Sequence, residues 1–246
     1  MEKRIVLVTG SSIGLGSEII KKYASNGFNV VINYLSHEKE AFELMNEVSL
    51  KYGIEALCIK ADISNEEEIN KMKDEIINKF GKIDVLINNA SISRDNDFNL
   101  KTKNDFMRVL VVNLVGTFLV SRTFGNLMYE KKSGKIINIS STNGIDTYYE
   151  YGLDYDASKS GVINLTHNLA NHYSPYVNVN CVCPGWIDTP MNKDMDIEFR
   201  KCEEEKILLN RFAKTDEIAS LVYFLGSDEA NYINDSIIRI DGGKKC

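Results

Sequence analysis

The chain has few of the residues that cross-link secreted domains or bind metals. Its five cysteines are odd in number and form no Cys-x-x-Cys pair, a pattern that fits a reducing compartment better than a disulfide framework. The three histidines, His37, His167 and His172, form no ligand-like cluster, so we expect no metal site.

Long hydrophobic runs are also missing. No stretch approaches the roughly twenty apolar residues that cross a bilayer. The apolar run Ile5–Val8 is too short for a signal peptide and is followed at once by Thr-Gly. We therefore expect a soluble, cytoplasmic protein without a membrane partner.

Positive charge and proline are scarce as well. A net charge of −6 argues against nucleic acid as the main partner. With only three prolines and no low-complexity linker or repeat, nothing in the sequence divides the chain. Because 246 residues at 43% hydrophobic content can bury a sizeable core, we expect one domain spanning residues 1–246.

Short apolar runs rich in β-branched residues alternate with longer stretches of helical periodicity. Strands are predicted at Ile5–Val8, Val30–Tyr34, Ala56–Lys60, Ile83–Ile87, Lys135–Ile139, Val177–Val182 and Ile237–Ile240. Helical spacing covers Ser17–Ser25, Glu40–Tyr52, Glu66–Phe80 and Phe106–Lys131. Continuous apolar strands separated by helices indicate a doubly wound, Rossmann-type α/β fold, with a parallel sheet of about seven strands and helices on both faces. The least regular segment, Pro184–Glu205, is predicted to be a mobile lid or binding loop.

A glycine-rich turn follows the first predicted strand, in the order Thr9-Gly10-Ser11-Ser12-Ile13-Gly14-Leu15-Gly16. Glycines between a strand and a helix let backbone N–H groups approach a pyrophosphate, which the positive end of the helix dipole stabilises. An ordinary tight turn needs one glycine rather than three. The turn therefore predicts a dinucleotide site.

Four tyrosines crowd the segment YYEYGLDYDASK, and only Tyr155 has a lysine four residues on, Lys159. On a helix these two side chains share a face. A phenol with a pKa near 10 is a slow acid at neutrality, and a nearby ammonium lowers that pKa. We expect Tyr155 to donate a proton to a ketone oxygen, and Tyr148, Tyr149 and Tyr151 to line the substrate mouth.

Together these motifs resemble the short-chain dehydrogenase/reductase family. The resemblance covers Thr9-Gly10-x-x-x-Gly14-x-Gly16, Asn88-Asn89-Ala90, Asn113, Ser141, Tyr155-x-x-x-Lys159, Pro184-Gly185 with Thr189, and Asp241-Gly242-Gly243. Within the family, stretches such as "IINISSTNG" and "VCPGWIDTPM" are most similar to the 3-oxoacyl-[acyl-carrier-protein] reductases.

The resemblance implies roles for particular residues. Ser141 would hydrogen-bond the substrate oxygen, and Asn113 would hold a water that relays protons to Lys159, unless it only marks a helix kink. Asn113, Ser141, Tyr155 and Lys159 are thus the implied catalytic residues. The implied cofactor-binding residues are Gly10, Ser12, Ile13, Gly14, Gly16, Asn33, Ser36, Asp62, Ile63, Asn89, Ala90, Tyr155, Lys159, Pro184, Gly185, Ile187 and Thr189.

The choice of nicotinamide cofactor depends on the end of the second strand. An acidic residue there would accept hydrogen bonds from the ribose 2′-OH of NAD and repel the 2′-phosphate of NADP. The chain has the neutral Asn33, which favours NADP(H), although Ile13 stands where NADP-preferring relatives carry a basic residue. NAD stays open, with Ser36, His37 and Lys39 as candidate 2′-phosphate contacts. Asp62 lies beside the adenine ring by resemblance, or is a strand-end turn residue.

By resemblance the substrate is a β-ketoacyl thioester on acyl-carrier protein, and the enzyme is a homotetramer. An acidic carrier needs basic residues near the mouth, and Lys131, Lys132 and Lys135 could form such a patch. The subgroup's arginine near Pro175 is absent, and the interval from Ser141 to Tyr155 is one residue longer than usual. A small ketone, sugar or steroid alcohol is therefore the alternative substrate. A non-catalytic dinucleotide sensor fits less well, because all four catalytic residues are present.

Overall fold

Seven parallel strands form one sheet in the order β3-β2-β1-β4-β5-β6-β7. The computed structural model describes residues 3–189 and 195–245. The strands are β1 Ile5–Val8, β2 Asn29–Tyr34, β3 Ala56–Lys60, β4 Val85–Asn88, β5 Gly134–Ile139, β6 Val177–Pro184 and β7 Ile237–Ile240. All seven predicted strands are confirmed, with small shifts at their ends.

Helices cover both faces of the sheet. They are α1 Gly14–Ser25, α2 Glu38–Tyr52, α3 Glu66–Phe80, α4 Lys103–Leu110, α5 Thr117–Glu130, α6 Leu153–Tyr173, α7 Ile197–Glu205 and α8 Thr215–Gly226. Side chains alternate along β1, so that Val6 and Val8 join a core with α1, α2 and α8, while Ile5 and Leu7 join a second core with α3, α5 and α6. The predicted Rossmann-type fold is confirmed.

One helical stretch is longer and more apolar than the sequence suggested. Among the described residues, Lys103–Glu130 is the one helix whose length and composition would suffice to cross a membrane. It consists of α4, a π-helical turn at Val111–Gly116 and α5. Val120, Phe124 and Met128 on its inner face are fully buried in the second core. Such burial is typical of a core helix of a globular protein.

The predicted irregular segment Pro184–Glu205 is partly helical. Asp196 accepts hydrogen bonds from the backbone N–H groups of Glu198 and Phe199 and so begins α7. An ion pair between Arg200 and Glu204, at 2.9 Å, supports the same helix. The prediction of an irregular loop is therefore wrong for α7, and residues 190–194 of the segment lie outside the described residues.

The order of the strands reverses between β1 and β4, since β2 lies on one side of β1 and β4 on the other. Ligands of open parallel sheets bind at the carboxyl ends of the strands beside such a switch point. The glycine turn follows β1, Asn89 follows β4 and Ser141 follows β5. The topology therefore brings three separate sequence motifs to one edge of the sheet.

Candidate active site

The glycine turn after β1 is packed against the end of β4. Gly10 has a φ of +60°, and a Cβ there would lie 2.8 Å from the Ala90 Cα. A Cβ at Gly16 would lie 2.5 Å from the Gly10 carbonyl oxygen. Both contacts are shorter than carbon atoms tolerate, so only glycine fits at either position. The glycines of this motif thus allow the turn after β1 to pack closely against the end of β4 and against itself.

The amino-terminal end of α1 has no cap from within the described chain. Ile13 at the N-cap makes no side-chain hydrogen bond, and the first turn contains no acidic residue. By contrast, Asn65 and Thr102 cap α3 and α4 with their side chains. Uncapped N–H groups and a positive dipole end suit an anion. The residues present therefore fit the pyrophosphate of a nicotinamide dinucleotide.

Thr9 and Asn89 brace this turn from inside. The Thr9 hydroxyl accepts hydrogen bonds from the backbone N–H groups of Asn89, at 3.0 Å, and Ala90, at 3.1 Å. The Asn89 amide donates to the carbonyls of Thr9, at 3.0 Å, and Gly10, at 2.9 Å. Asn89 and Ala90, both expected near the cofactor, are thus at the turn and hold its shape.

The structure shows what the Asn33 side chain binds within the protein. Its side chain is buried, with an exposed fraction of 2% for the residue. The amide oxygen accepts from the Gly10 N–H at 3.1 Å, and the amide nitrogen donates to the Ala61 carbonyl at 3.0 Å. Asn33 therefore supports the glycine turn and is not free to contact the ribose. The strand ends one residue later, at Tyr34, and the exposed residues Leu35, Ser36 and His37 follow.

Asp62 and Ile63 follow β3. The Asp62 carboxylate accepts from the N–H and the hydroxyl of Ser64, at 2.8 and 2.6 Å, which makes it a turn residue as the alternative interpretation held. Ile63 is buried, and its side chain packs against Gly116 of the π-helical turn. The second carboxylate oxygen of Asp62 lies 3.8 Å from the Arg108 guanidinium, and the contacts of Asp62 and Ile63 with the adenine ring stay a prediction.

The remaining expected cofactor residues lie at the carboxyl ends of β1 and β6. Ser12 is buried and Ile13 partly exposed in the glycine turn. Pro184 ends β6, and Gly185 donates its N–H to the Ile240 carbonyl at 3.0 Å. Ile187 pairs with Ala213 in an isolated parallel bridge, and Thr189 is the last described residue before residue 195.

Tyr155, Ser141 and Lys159 come together at the carboxyl end of β5. The Ser141 hydroxyl is close enough to the Tyr155 phenol to favour its ionised form. The Lys159 ammonium lies 5.3 Å from the centre of the Tyr155 ring and donates to the Ile139 carbonyl at 2.9 Å. Tyr155 and Lys159 stand one turn apart on α6, as their spacing predicted.

Burial dominates the acid–base properties of this group. It raises the pKa of Tyr155 to about 12, with Asp156 and Asp95 adding to the rise and the Ser141 hydroxyl opposing it. Burial also lowers the pKa of Lys159 to about 8, although Cys181 and Cys183 nearby act to raise it. The expected lowering of the phenol pKa by Lys159 is therefore not found in the protein alone: burial dominates, and the group that opposes it is Ser141.

Asn113 lies in the π-helical turn, and both ends of its side-chain amide are in use. Its oxygen accepts from the Ile92 N–H at 2.8 Å, and its nitrogen donates to the Ile92 carbonyl at 2.9 Å and the Ser158 hydroxyl at 3.0 Å. The Asn113 carbonyl accepts from the Thr117 hydroxyl at 2.7 Å. The side-chain amide therefore holds the Ile92 backbone and the Ser158 side chain in place, and the water-holding role stays a prediction.

Aromatic side chains form a wall next to Tyr155, where the substrate mouth is expected. The ring of Tyr149 lies 5.4 Å from that of Tyr151 and 6.4 Å from that of Phe199 on α7. Trp186 is 6.2 Å from Phe199 and extends the wall. Tyr148, by contrast, is 87% exposed, so its ring does not belong to this wall.

A polar bridge beside Ser141 is not predicted by any of the sequence motifs. Asn143 contacts the Ser141 hydroxyl at 3.3 Å and donates to the Asp156 carboxylate at 2.6 Å, and that carboxylate also accepts from the Tyr149 N–H at 2.9 Å. Burial raises the pKa of Asp156. Asp156 directly follows Tyr155 in the sequence, but no local pattern marks its contact with Asn143.

The lysine patch expected at the mouth lies elsewhere. Lys131, Lys132 and Lys135 are at the start of β5, whereas Ser141 follows its end. Six residues of strand separate the two edges by about 20 Å. Lys135 is also buried and donates to the Ser227 carbonyl at 2.5 Å. The expectation of a docking patch formed by these residues is wrong.

A model of the short chain dehydrogenase family matches residues 4–198 of the chain. The 3-oxoacyl-[acyl-carrier-protein] reductase FabG of Aquifex aeolicus is 39% identical over 244 residues, which cover 99% of this chain and 98% of the relative. The protein of the same name from Thermotoga maritima is 34% identical over 250 residues, with 99% and 98% coverage.

Two solved structures have the same architecture throughout. The crystal structure of levodione reductase superposes with a TM-score of 0.89 at 33% identity and covers 98% of this chain and 96% of its own. The crystal structure of gox2181 superposes with a TM-score of 0.93 at 26% identity and covers 99% and 96%. With the family model and the full-length relatives, the glycine turn and the Ser-Tyr-Lys group assign the chain to the short-chain dehydrogenase/reductase family of NAD(P)-dependent oxidoreductases.

Proposed function

We propose that this protein reduces a β-ketoacyl thioester to the 3-hydroxyacyl product with NADPH, as a 3-oxoacyl-[acyl-carrier-protein] reductase does. The observation that carries the proposal is the position of the Lys159 ammonium, 5.3 Å from the centre of the Tyr155 ring and one turn along α6. The group lies at the same sheet edge as the glycine turn. Full-length relatives named 3-oxoacyl-[acyl-carrier-protein] reductase support the substrate class.

NADPH, when bound, supplies the hydride to the ketone carbon. Tyr155 donates its phenolic proton to the ketone oxygen, so that the carbonyl becomes an alcohol with one hydride and one proton added. When the ketone is bound, the single hydroxyl proton of Ser141 turns from Asn143 to the same oxygen and stabilises the charge that develops there. The aromatic wall of Tyr149, Tyr151 and Phe199 keeps water away from the ketone.

Lys159 serves the phenol in two ways in this proposal. Its ammonium favours the phenolate that remains after proton transfer, because opposite charges attract strongly in a buried site. It is also the next proton source, and its lowered pKa of about 8 makes it a better acid than an ordinary lysine. Asn113 would hold the water that reprotonates it.

The preference for NADPH has support independent of Asn33. From Tyr34 to His37 the chain has no acidic residue, and the nearest carboxylate, that of Glu38 at the start of α2, is turned to the Tyr34 hydroxyl. Ser36 and His37 are exposed, and the Ser36 hydroxyl lies 3.0 Å from His37 Nδ1. These two side chains are the proposed 2′-phosphate contacts, and NAD is the competing cofactor in the test.

A small free ketone is the second candidate substrate. A Cβ at Gly152, near the aromatic wall, would have the carboxylates of Asp156 and Asp95 at 3.8 and 3.9 Å. Negative charge there disfavours an acidic carrier protein. The solved structure titled levodione reductase, at 33% identity, is consistent with a ketone that is not carrier-linked.

One rate comparison tests these alternatives. NADPH and NADH oxidation would be followed with acetoacetyl-[acyl-carrier protein], a free acetoacetyl thioester and a cyclic diketone. The proposal expects the highest kcat/KM for carrier-linked substrate with NADPH. A higher value for the diketone would select the second candidate, and cofactor binding without any turnover would contradict both. By the same proposal the enzyme is a cytoplasmic homotetramer, which sedimentation velocity would test.

A further inference from the structure

Residues 92–101 connect β4 to α4 with little regular structure and lie along α6, the helix that carries Tyr155 and Lys159. At one end, Asn113 binds both backbone groups of Ile92 and donates to Ser158 of α6 at 3.0 Å. This end of the segment is thus fastened to the catalytic helix through an amide side chain.

Lys101 fastens the other end to the same helix. Its ammonium donates to the Tyr151 carbonyl at 3.0 Å, to Asp154 Oδ1 at 2.9 Å and to the Arg94 carbonyl. All three protons are therefore used. The side chains of Lys101 and Asp154 are only 5% and 0% exposed, so the pair is removed from water.

Asp154 connects this pair to Tyr155. The same Oδ1 that binds Lys101 accepts the backbone N–H of Tyr155 at 2.9 Å, in the first turn of α6. Asp154 Oδ2 has no hydrogen-bond partner among the described residues. Lys101 is therefore the cation that compensates this buried carboxylate.

The segment also forms part of the substrate mouth. The Asn96 N–H donates to the Tyr151 carbonyl at 3.1 Å, which places Asp95 beside the aromatic wall. A buried ion pair adds little stability over an apolar pair of the same volume, because desolvation offsets its attraction. The Lys101–Asp154 ion pair instead fixes the position of the 92–101 segment relative to the start of α6.

We propose that Lys101 is a positioning residue, which through Asp154 fixes both the backbone of Tyr155 and the 92–101 wall against the ketone. The inference rests on the proposed function for its kinetic consequence only. Without the ammonium, the segment loses three hydrogen bonds at one end and moves relative to α6. The ketone then meets Tyr155 in a wider range of orientations, while the glycine turn on the far side of β4 is unaffected.

The test compares Lys101→Met, the neutral double variant Lys101→Met/Asp154→Asn and the control Lys103→Met. Lys103 is an exposed lysine two residues along the chain. The double variant leaves no unpaired buried carboxylate, so it keeps the test open if the single variant does not fold. Hydrogen exchange of residues 92–101, NADPH affinity, and kcat and KM for acetoacetyl thioester are measured on each.

Both Lys101 variants should exchange amides of residues 92–101 about tenfold faster than wild type. Their ketone kcat/KM should fall about 10- to 100-fold, with NADPH affinity and the control within about twofold. A lower melting temperature with unchanged exchange in this segment and unchanged ketone KM would overturn the inference, since a merely structural pair behaves that way. Hydrogen exchange is measured without substrate turnover, so it tests the role of Lys101 even if the proposed function is wrong. Failure of the proposed function would instead appear as a wild-type enzyme that reduces no ketone.

Discussion

Lys159 Nζ lies 5.3 Å from the centre of the Tyr155 ring and is held there by the Ile139 carbonyl. The distance between the ammonium and the phenol is therefore fixed jointly by α6, which carries both side chains, and by Ile139, the last residue of β5. This arrangement keeps a buried cation, with a pKa lowered to about 8, at a position where an apolar side chain would be more stable.

Replacing this lysine should increase stability and remove activity. Lys159→Met eliminates the burial penalty, so we expect the free energy of unfolding near neutral pH to rise by about 1–3 kcal/mol. The pKa in the folded state is below the usual value of 10.5, so the unfolded chain binds more protons between about 8 and 10.5 and wild-type stability rises with pH in that window. Urea unfolding across that window should show this rise in wild type and not in the variant. Equal pH dependence in both would contradict the burial of a charged Lys159.

The rate of ketone reduction should depend on the protonation of Lys159. Below a pH of about 8 the Lys159 ammonium is protonated, and it loses its charge as the pH rises through that value. We therefore expect kcat/KM for ketone reduction to decline above this pH. A profile that stays flat until the phenol itself titrates, near its pKa of about 12, would show that the ammonium is dispensable.

Ser141→Ala should lower kcat about 100- to 1000-fold, because it removes a donor to the developing oxyanion. It should also raise the pKa of Tyr155, since the serine hydroxyl is the group that opposes the effect of burial. Steady-state kinetics and phenol titration by absorbance measure the two effects. Ser220→Ala, at an exposed position on α8, is the control and should leave both unchanged. Equal loss in the two variants would remove Ser141 from the mechanism.

Asn33→Asp has a different expected outcome once the structure is known. If Asn33 contacted the ribose, an aspartate there would accept hydrogen bonds from the 2′-OH of NADH, and the substitution would favour NADH. Because its amide nitrogen donates to the Ala61 carbonyl, a carboxylate would instead face that carbonyl without a hydrogen atom between them. We expect a loss of about 1–3 kcal/mol of stability and weaker binding of both cofactors. Thermal unfolding measures the loss of stability, and titration with NADPH and NADH measures the affinity for each cofactor. A switch to NADH without loss of stability would show that Asn33 contacts the ribose.

The sequence predicted the parts of the molecule that depend on local pattern. Parallel strands buried on both faces are continuous apolar runs, so β1 and β6 could be recognised directly. The glycine turn and the spacing of Tyr155 and Lys159 are likewise local. These signals also carried the family resemblance.

Long-range contacts could not be predicted in this way. Lys101 and Asp154 are 53 residues apart, and nothing local to either marks the pair. Asn33 seemed to be a cofactor contact because only its place near the strand end was visible, not the Gly10 N–H that it binds. The lysines at the start of β5 looked like a docking patch until the strand direction placed them at the opposite edge of the sheet.

The central claim is that the Tyr155 hydroxyl delivers the proton in ketone reduction. The most direct measurement is NADPH oxidation with an acetoacetyl thioester by wild type, Tyr155→Phe and the exposed control Tyr148→Phe, beside NADPH affinity for each. We predict that Tyr155→Phe loses at least about 1000-fold in kcat, while its affinity for NADPH and the rate of Tyr148→Phe stay near wild type. A Tyr155→Phe variant that reduces the thioester within about tenfold of the wild-type rate would contradict the account.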